Sequence, residues 1–104
     1  MEETFKKVNY NEIPEYMRRG MKLYLEYGEQ PGGFLTAVLA NDLHFAVKKA
    51  DVNNRFHLLQ YIDFFLGELP DRAWGSYENV YYWMIHRKAY HAQEKDNEDG
   101  NSKT

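Results

Sequence analysis

There is no cysteine among the 104 residues, which excludes a disulfide framework, a thiolate zinc site and a cysteine nucleophile together. The charge balance is short of cations: 13 Lys and Arg against 16 Asp and Glu leave a net charge of -3 and a pI near 5.8. A chain of that sign has no general attraction for a phosphate backbone, so nucleic acid is not an expected partner. No apolar run approaches the roughly 18 residues of a membrane span, and Met1 to Lys7 has no signal-peptide core. The expected location is therefore the cytoplasm. Proline is scarce, and Pro14, Pro31 and Pro70 each read as a boundary between elements.

What is present belongs to a globular chain. It is 43% hydrophobic and 28% charged, and its 16% of aromatics rests mostly on nine tyrosines, residues suited to half-buried interface positions as well as to cores. One domain is expected. At this length a single core only just outweighs an ordering cost of roughly 1 to 2 kcal/mol per residue.

The pattern predicts an all-α fold, a compact bundle of about four helices over residues 13–92. An irregular lead-in, residues 1–12, precedes it; a disordered tail, residues 93–104, rich in charge, asparagine, glycine and serine, follows. Pro14 suits a helix start, with Asn11 as a candidate cap, and Met17, Met21, Tyr24 and Leu25 form the inner stripe over 15–27. Gly20 inside it predicts close approach of a neighbouring helix, and Gly28 a left-handed end. Gly32 or Gly33 opens the second helix, whose stripe runs through Leu35, Val38, Leu39, Leu43, Ala46, Val47 and Ala50. Asp51 is the expected cap of a third, with Leu58, Leu59, Ile62, Phe65 and Leu66 inward and Asn53, Asn54, Gln60 and Asp63 mostly outward. Trp74 anchors the next loop. Ser76 caps a fourth helix to about His91, with Val80, Tyr81, Met84 and part of Trp83 inward.

Ile13-Pro14, Tyr27-Gly28, the run from Pro31-Gly32-Gly33 to Leu39, Asn41-Asp42-Leu43, Ala50-Asp51 and Trp74-Gly75-Ser76 stand in this order. Together they resemble a group of small proteins of unassigned activity encoded by tailed bacteriophages and prophages, over roughly residues 13–83. The resemblance implies a phage origin. It also implies action by binding, either inhibiting a host or defence protein or sequestering a signalling nucleotide.

The amides at Gly32 and Gly33 begin a helix, where a phosphate or carboxylate can be held. Two readings stand: a turn that needs glycine for positive φ, or an anion site reached by Arg18 or Arg19, with Tyr24, Tyr27 or Phe34 offering an aromatic face. Asp42, at the edge of the apolar stripe, reads as an ion-pair partner of Arg55 or Arg18, as a second cap at a local break, or as a ligand contact. His44, His57, His86 and His91 have no metal-site spacing, and neither a metal nor a cofactor is expected. With no activated serine motif and no cysteine, neither is an enzyme. Tyr77, Tyr81, Tyr82, Trp83 and Tyr90 encircle the fourth helix. With Trp74, the first four make a candidate interface, most simply of a homo-oligomer. The alternative function is a helix-turn-helix regulator using the turn between the second and third helices, which the negative charge disfavours.

Overall fold

The computed structural model describes residues 8–103, with side chains described as far as residue 93. The expectations for residues 1–7 and for the side chains of the tail lie outside the described residues. The described chain is all helix, with no strand: α1 (Glu15–Tyr27), α2 (Gly33–Leu39), α3 (Leu43–Lys49), α4 (Val52–Phe56), α5 (Leu58–Glu68) and α6 (Tyr77–Lys103), with short 3₁₀ turns at Tyr10–Glu12 and Asp71–Ala73.

The expected four helices become six because two of them break. The helix predicted from Gly33 to Ala50 stops at Asn41, whose φ of 65° is left-handed. The Asn41 amide donates to Val38 O at 3.1 Å and the Asp42 amide to Ala37 O at 2.8 Å, which together close the end of α2. The apolar rhythm continues past the break, but the rotation there carries Leu43 out to solvent. The second break is at His57, between α4 and α5, where ψ is 13°. Neither interruption involves glycine or proline, which is why the periodicity hid them.

The seven-residue α2 lies at the centre, with Phe34, Leu35, Ala37, Val38 and Leu39 all buried. It packs most closely on α3 and also touches α5 and α6. Around it Met21, Tyr24 and Leu25 of α1, Tyr61, Phe64 and Phe65 of α5, and Val80 and Trp83 of α6 complete the core. Three inner faces differ from expectation. On α5 the core side is Tyr61, Phe64 and Phe65, while Leu59 and Leu66 point to solvent. Asn54 of α4 is buried rather than outward. On α6 Tyr81 is exposed, and its place inside is taken by Trp83 and Arg87. Each of the three buried rings of α5 meets another aromatic: Tyr61 meets Phe34 of α2, Phe64 meets Tyr10 and Phe65 meets Trp74.

α1 begins after Pro14, without a side-chain cap; Asn11 sits instead in the 3₁₀ turn, donating its amide to Asn9 Oδ1. Open space surrounds Gly20, so the expected close approach is not made there. It is made at Gly28, where φ is +76° and a Cβ would meet Met84 O of α6 at 2.5 Å. Ser76 starts α6 by accepting the Asn79 amide at 3.0 Å. The helix does not stop at His91: its backbone continues to Lys103.

Candidate functional site

At the glycine turn, neither Gly32 nor Gly33 has positive φ; Gly32 is extended at φ -66°, ψ 174°. The reading of a turn that needs glycine for its backbone angles is therefore wrong at this place, and the positive-φ glycines are Gly28 and Gly75. Arg18 is committed elsewhere: Nε donates to Ile13 O at 2.9 Å and Nη2 to Asn11 O at 3.3 Å, tying α1 to the lead-in. Arg19 is exposed on the same helix. The cation lying beside the turn is Lys49 from the end of α3, whose methylenes come within 3.8 Å of a Cβ built on Gly33. Its Nζ sits 5.4 Å from the centroid of the Phe45 ring.

The aromatic platforms proposed for an anion-bound base are occupied by the fold. Phe34 is buried and meets the Tyr61 ring edge-on at 5.3 Å. Tyr24 is fully buried and donates to Ala73 O at 2.6 Å, and burial pushes its hydroxyl above the ordinary phenol range. Tyr27 is partly exposed, with its ring stacked on His91 at 4.6 Å. The predicted set around the glycine pair is thus divided among three separate jobs.

Asp42 is the second cap that sequence allowed. It accepts the Phe45 amide at 3.2 Å, starting α3, and its other oxygen accepts the Tyr77 hydroxyl of α6 at 2.6 Å. The Tyr77 hydroxyl and then the Phe45 amide hold its carboxyl below the usual range. The same device recurs nine residues later. Asp51 caps α4 through the Asn54 amide at 2.7 Å and accepts the Tyr16 hydroxyl of α1 at 2.9 and 2.7 Å. The Asn54 amide first, and then the Tyr16 hydroxyl, keep that carboxyl low as well. Beneath it the Asn54 side chain accepts the buried Tyr61 hydroxyl at 2.7 Å. Sequence reasoning reached the two caps but not their tyrosines, because nothing local marks Tyr16 or Tyr77 as a partner 35 residues away.

Of the proposed aromatic interface, the two tryptophans belong to the interior. Trp83 is buried and donates Nε1–H to Leu25 O at 3.1 Å, and Trp74 is half-buried against Phe65 at 5.2 Å. Tyr77, Tyr81 and Tyr82 are exposed, joined by Ile85 one turn on. Residues 77, 81 and 85 repeat every four positions and line one side of α6, with Tyr82 beside them. Tyr82 is braced edge-on by His86 at 4.3 Å. The opposite side is pinned: Arg87 Nε and Nη2 donate to Glu26 O at 3.2 Å, and His91 Nε2–H donates to the same oxygen at 2.7 Å. Trp83, Arg87 and His91, four apart, thus cap the end of α1, a spacing visible in the sequence that its tyrosines overshadowed.

Among the described residues, no three or more His, Asp or Glu side chains are grouped so as to hold a metal ion, and no helix is long and apolar enough to cross a membrane. In comparisons with known proteins, no family model, no curated protein and no solved structure matches the chain.

Proposed function

We propose that the chain is a non-enzymatic binding protein whose target is another protein, held on the exposed face of α6. The observation that carries this reading is the row Tyr77, Tyr81, Tyr82 and Ile85, exposed on a helix whose other side is locked into the core. Tyrosine offers a large contact area with few rotamers to freeze, and such residues dominate the energetics of protein interfaces. Preorganisation favours the same reading, because Asp42 holds Tyr77 and His86 braces Tyr82 before any partner arrives. The resemblance to phage proteins makes that target a bacterial host or defence protein, met in the host cytoplasm.

A nucleotide sponge has less support, since Arg18, Tyr24 and Phe34 are engaged within the fold. Affinity capture from host lysate separates the two. Wild type should retain a discrete protein that the double variant Tyr81→Ala/Tyr82→Ala loses, the two proteins keeping the same helical circular dichroism. Identical retention by the double variant, or a thermal shift with a nucleotide in the absence of any protein, would overturn the proposal.

A further inference from the structure

The side of α4 and α5 that faces away from the core carries Val52, Phe56, Leu59 and Leu66, which are 74%, 84%, 77% and 68% exposed. With Asp63, also exposed, they stand at 52, 56, 59, 63 and 66. Within α5, Leu59, Asp63 and Leu66 follow at steps of four and three, the spacing of a helix seam that packs on another helix, and Val52 and Phe56 of α4 extend the row beyond the break at His57. The other side of the same two helices is already used, by Asn54, Tyr61, Phe64 and Phe65 in the core. These helices are therefore apolar on two sides, and one chain covers only one of them. Four such side chains present on the order of 400 Å² of apolar surface, at the upper end of what a monomer leaves bare.

We propose that a second copy of this chain covers the row, with α4 and α5 of the two copies antiparallel about a two-fold axis at Leu59. Charge selects this occupant and this direction. Arg55 and Asp63 are both exposed and lie four residues before and four after Leu59; Arg55 Nη2 donates to Val47 O at 3.1 Å within its own chain, and its other guanidinium N–H groups are the ones a second copy would meet. An antiparallel pair centred on Leu59 brings Arg55 of each copy to Asp63 of the other, twice, and sets Val52 against Leu66 at both ends. A parallel pair would set Asp63 against Asp63 and Arg55 against Arg55, like charges at close range. The area agrees. The row and its exposed neighbours Asn53, Gln60 and Gly67, counted on both copies, reach the roughly 1,000 Å² at which a specific interface becomes plausible. A two-fold pairing also closes on itself, so a face this apolar ends in a dimer and not in a fibre. The row is separate from the tyrosines of α6, so this inference stands or falls apart from the proposed target.

Sedimentation equilibrium on the full chain tests it. Wild type should dimerise, and Leu59→Arg should weaken the dimer by at least about tenfold, the loss expected from a residue at the centre of an interface. Leu59 is exposed in the single chain, so the helical spectrum of the variant should be unchanged. Arg55→Asp should weaken association, and Arg55→Asp with Asp63→Arg should restore it. The absence of native cysteine makes the direction readable. Under oxidation, a mixture of Val52→Cys and Leu66→Cys chains should cross-link to each other, whereas either variant alone should not. A monomer at all concentrations, a dimer indifferent to Leu59→Arg, or Val52→Cys cross-linking to itself would each overturn the proposal.

Discussion

The junction of α1 with α6 and the corner formed by α2, α3 and α4 join helices in opposite ways. At the junction, four of the last carbonyls of α1 accept hydrogen bonds from beyond the helix. Leu23 O accepts from Glu29, Tyr24 O from Gly28, Leu25 O from Trp83, and Glu26 O from Arg87 and His91. The corner instead turns the chain through two short helices, each begun by an aspartate that also holds a tyrosine from a distant helix. The first joint is largely buried, and at Gly28 it has no room for a Cβ. The second is exposed and made of charge-assisted hydrogen bonds that solvent screens. Energies of substitution should follow that division.

The largest effect belongs to the junction. Trp83→Ala removes a buried indole and leaves a cavity, for a loss of about 3–5 kcal/mol in urea unfolding. Gly28→Ala should follow at about 2–3 kcal/mol, because the backbone is left-handed there and the new Cβ meets Met84 O, a backbone atom that cannot step aside. Equal stability of Gly28→Ala and wild type would mean that the helices separate there at little cost. Within the corner, Asn54 is the buried exception. Asn54→Ala strips the Tyr61 hydroxyl of its acceptor and should cost about 1–3 kcal/mol, and Tyr61→Phe in that background should recover part of it.

This division also marks what could be read from sequence. The buried stripe of α1, its end at Gly28 and the caps at Asp51 and Ser76 were all legible, because each is a local rule of propensity or periodicity. The break at Asn41 was less so. Asn41-Asp42 is a left-handed end followed by a cap; a second cap at a local break was one of the readings Asp42 allowed, beside an ion pair and a ligand contact, within an otherwise continuous apolar rhythm. Which side of α5 faces inward could not be settled by period. Both sides are apolar, and the rings that Tyr61, Phe64 and Phe65 meet, Phe34, Tyr10 and Trp74, lie outside the helix. The same ambiguity is what leaves Phe56 and Leu59 in solvent. The glycine turn illustrates the opposite error: its composition suggested a backbone requirement, yet open space surrounds Gly32 and the angles there suit any residue.

The smallest expected effect is at Tyr77, where the exposed joint rests on a single hydroxyl. Its hydroxyl donates to Asp42 on the protein surface, so Tyr77→Phe removes one exposed hydrogen bond and leaves the ring. A fall in thermal midpoint smaller than that of any substitution above is expected near neutral pH. The decisive observation is how this difference varies with pH. In the folded chain the Tyr77 hydroxyl and the Phe45 amide lower the Asp42 carboxyl, so the stability it contributes is fully present above the unfolded carboxyl value, near 3.9, and is lost as pH falls through the lower folded one. The Tyr77 hydroxyl is raised in turn by its bond to Asp42, so its contribution is present below its unfolded value, near 10, and is lost as pH rises through the folded one. The gap between wild type and Tyr77→Phe should therefore hold steady across the neutral range and close at both extremes. Asp42→Ala should lower stability further, because the cap on Phe45 goes too, and should close its gap on the acid side. A Tyr77→Phe gap that persisted unchanged into acid would show that the hydroxyl's contribution does not depend on the charge of Asp42, and the two joints would then differ in burial alone.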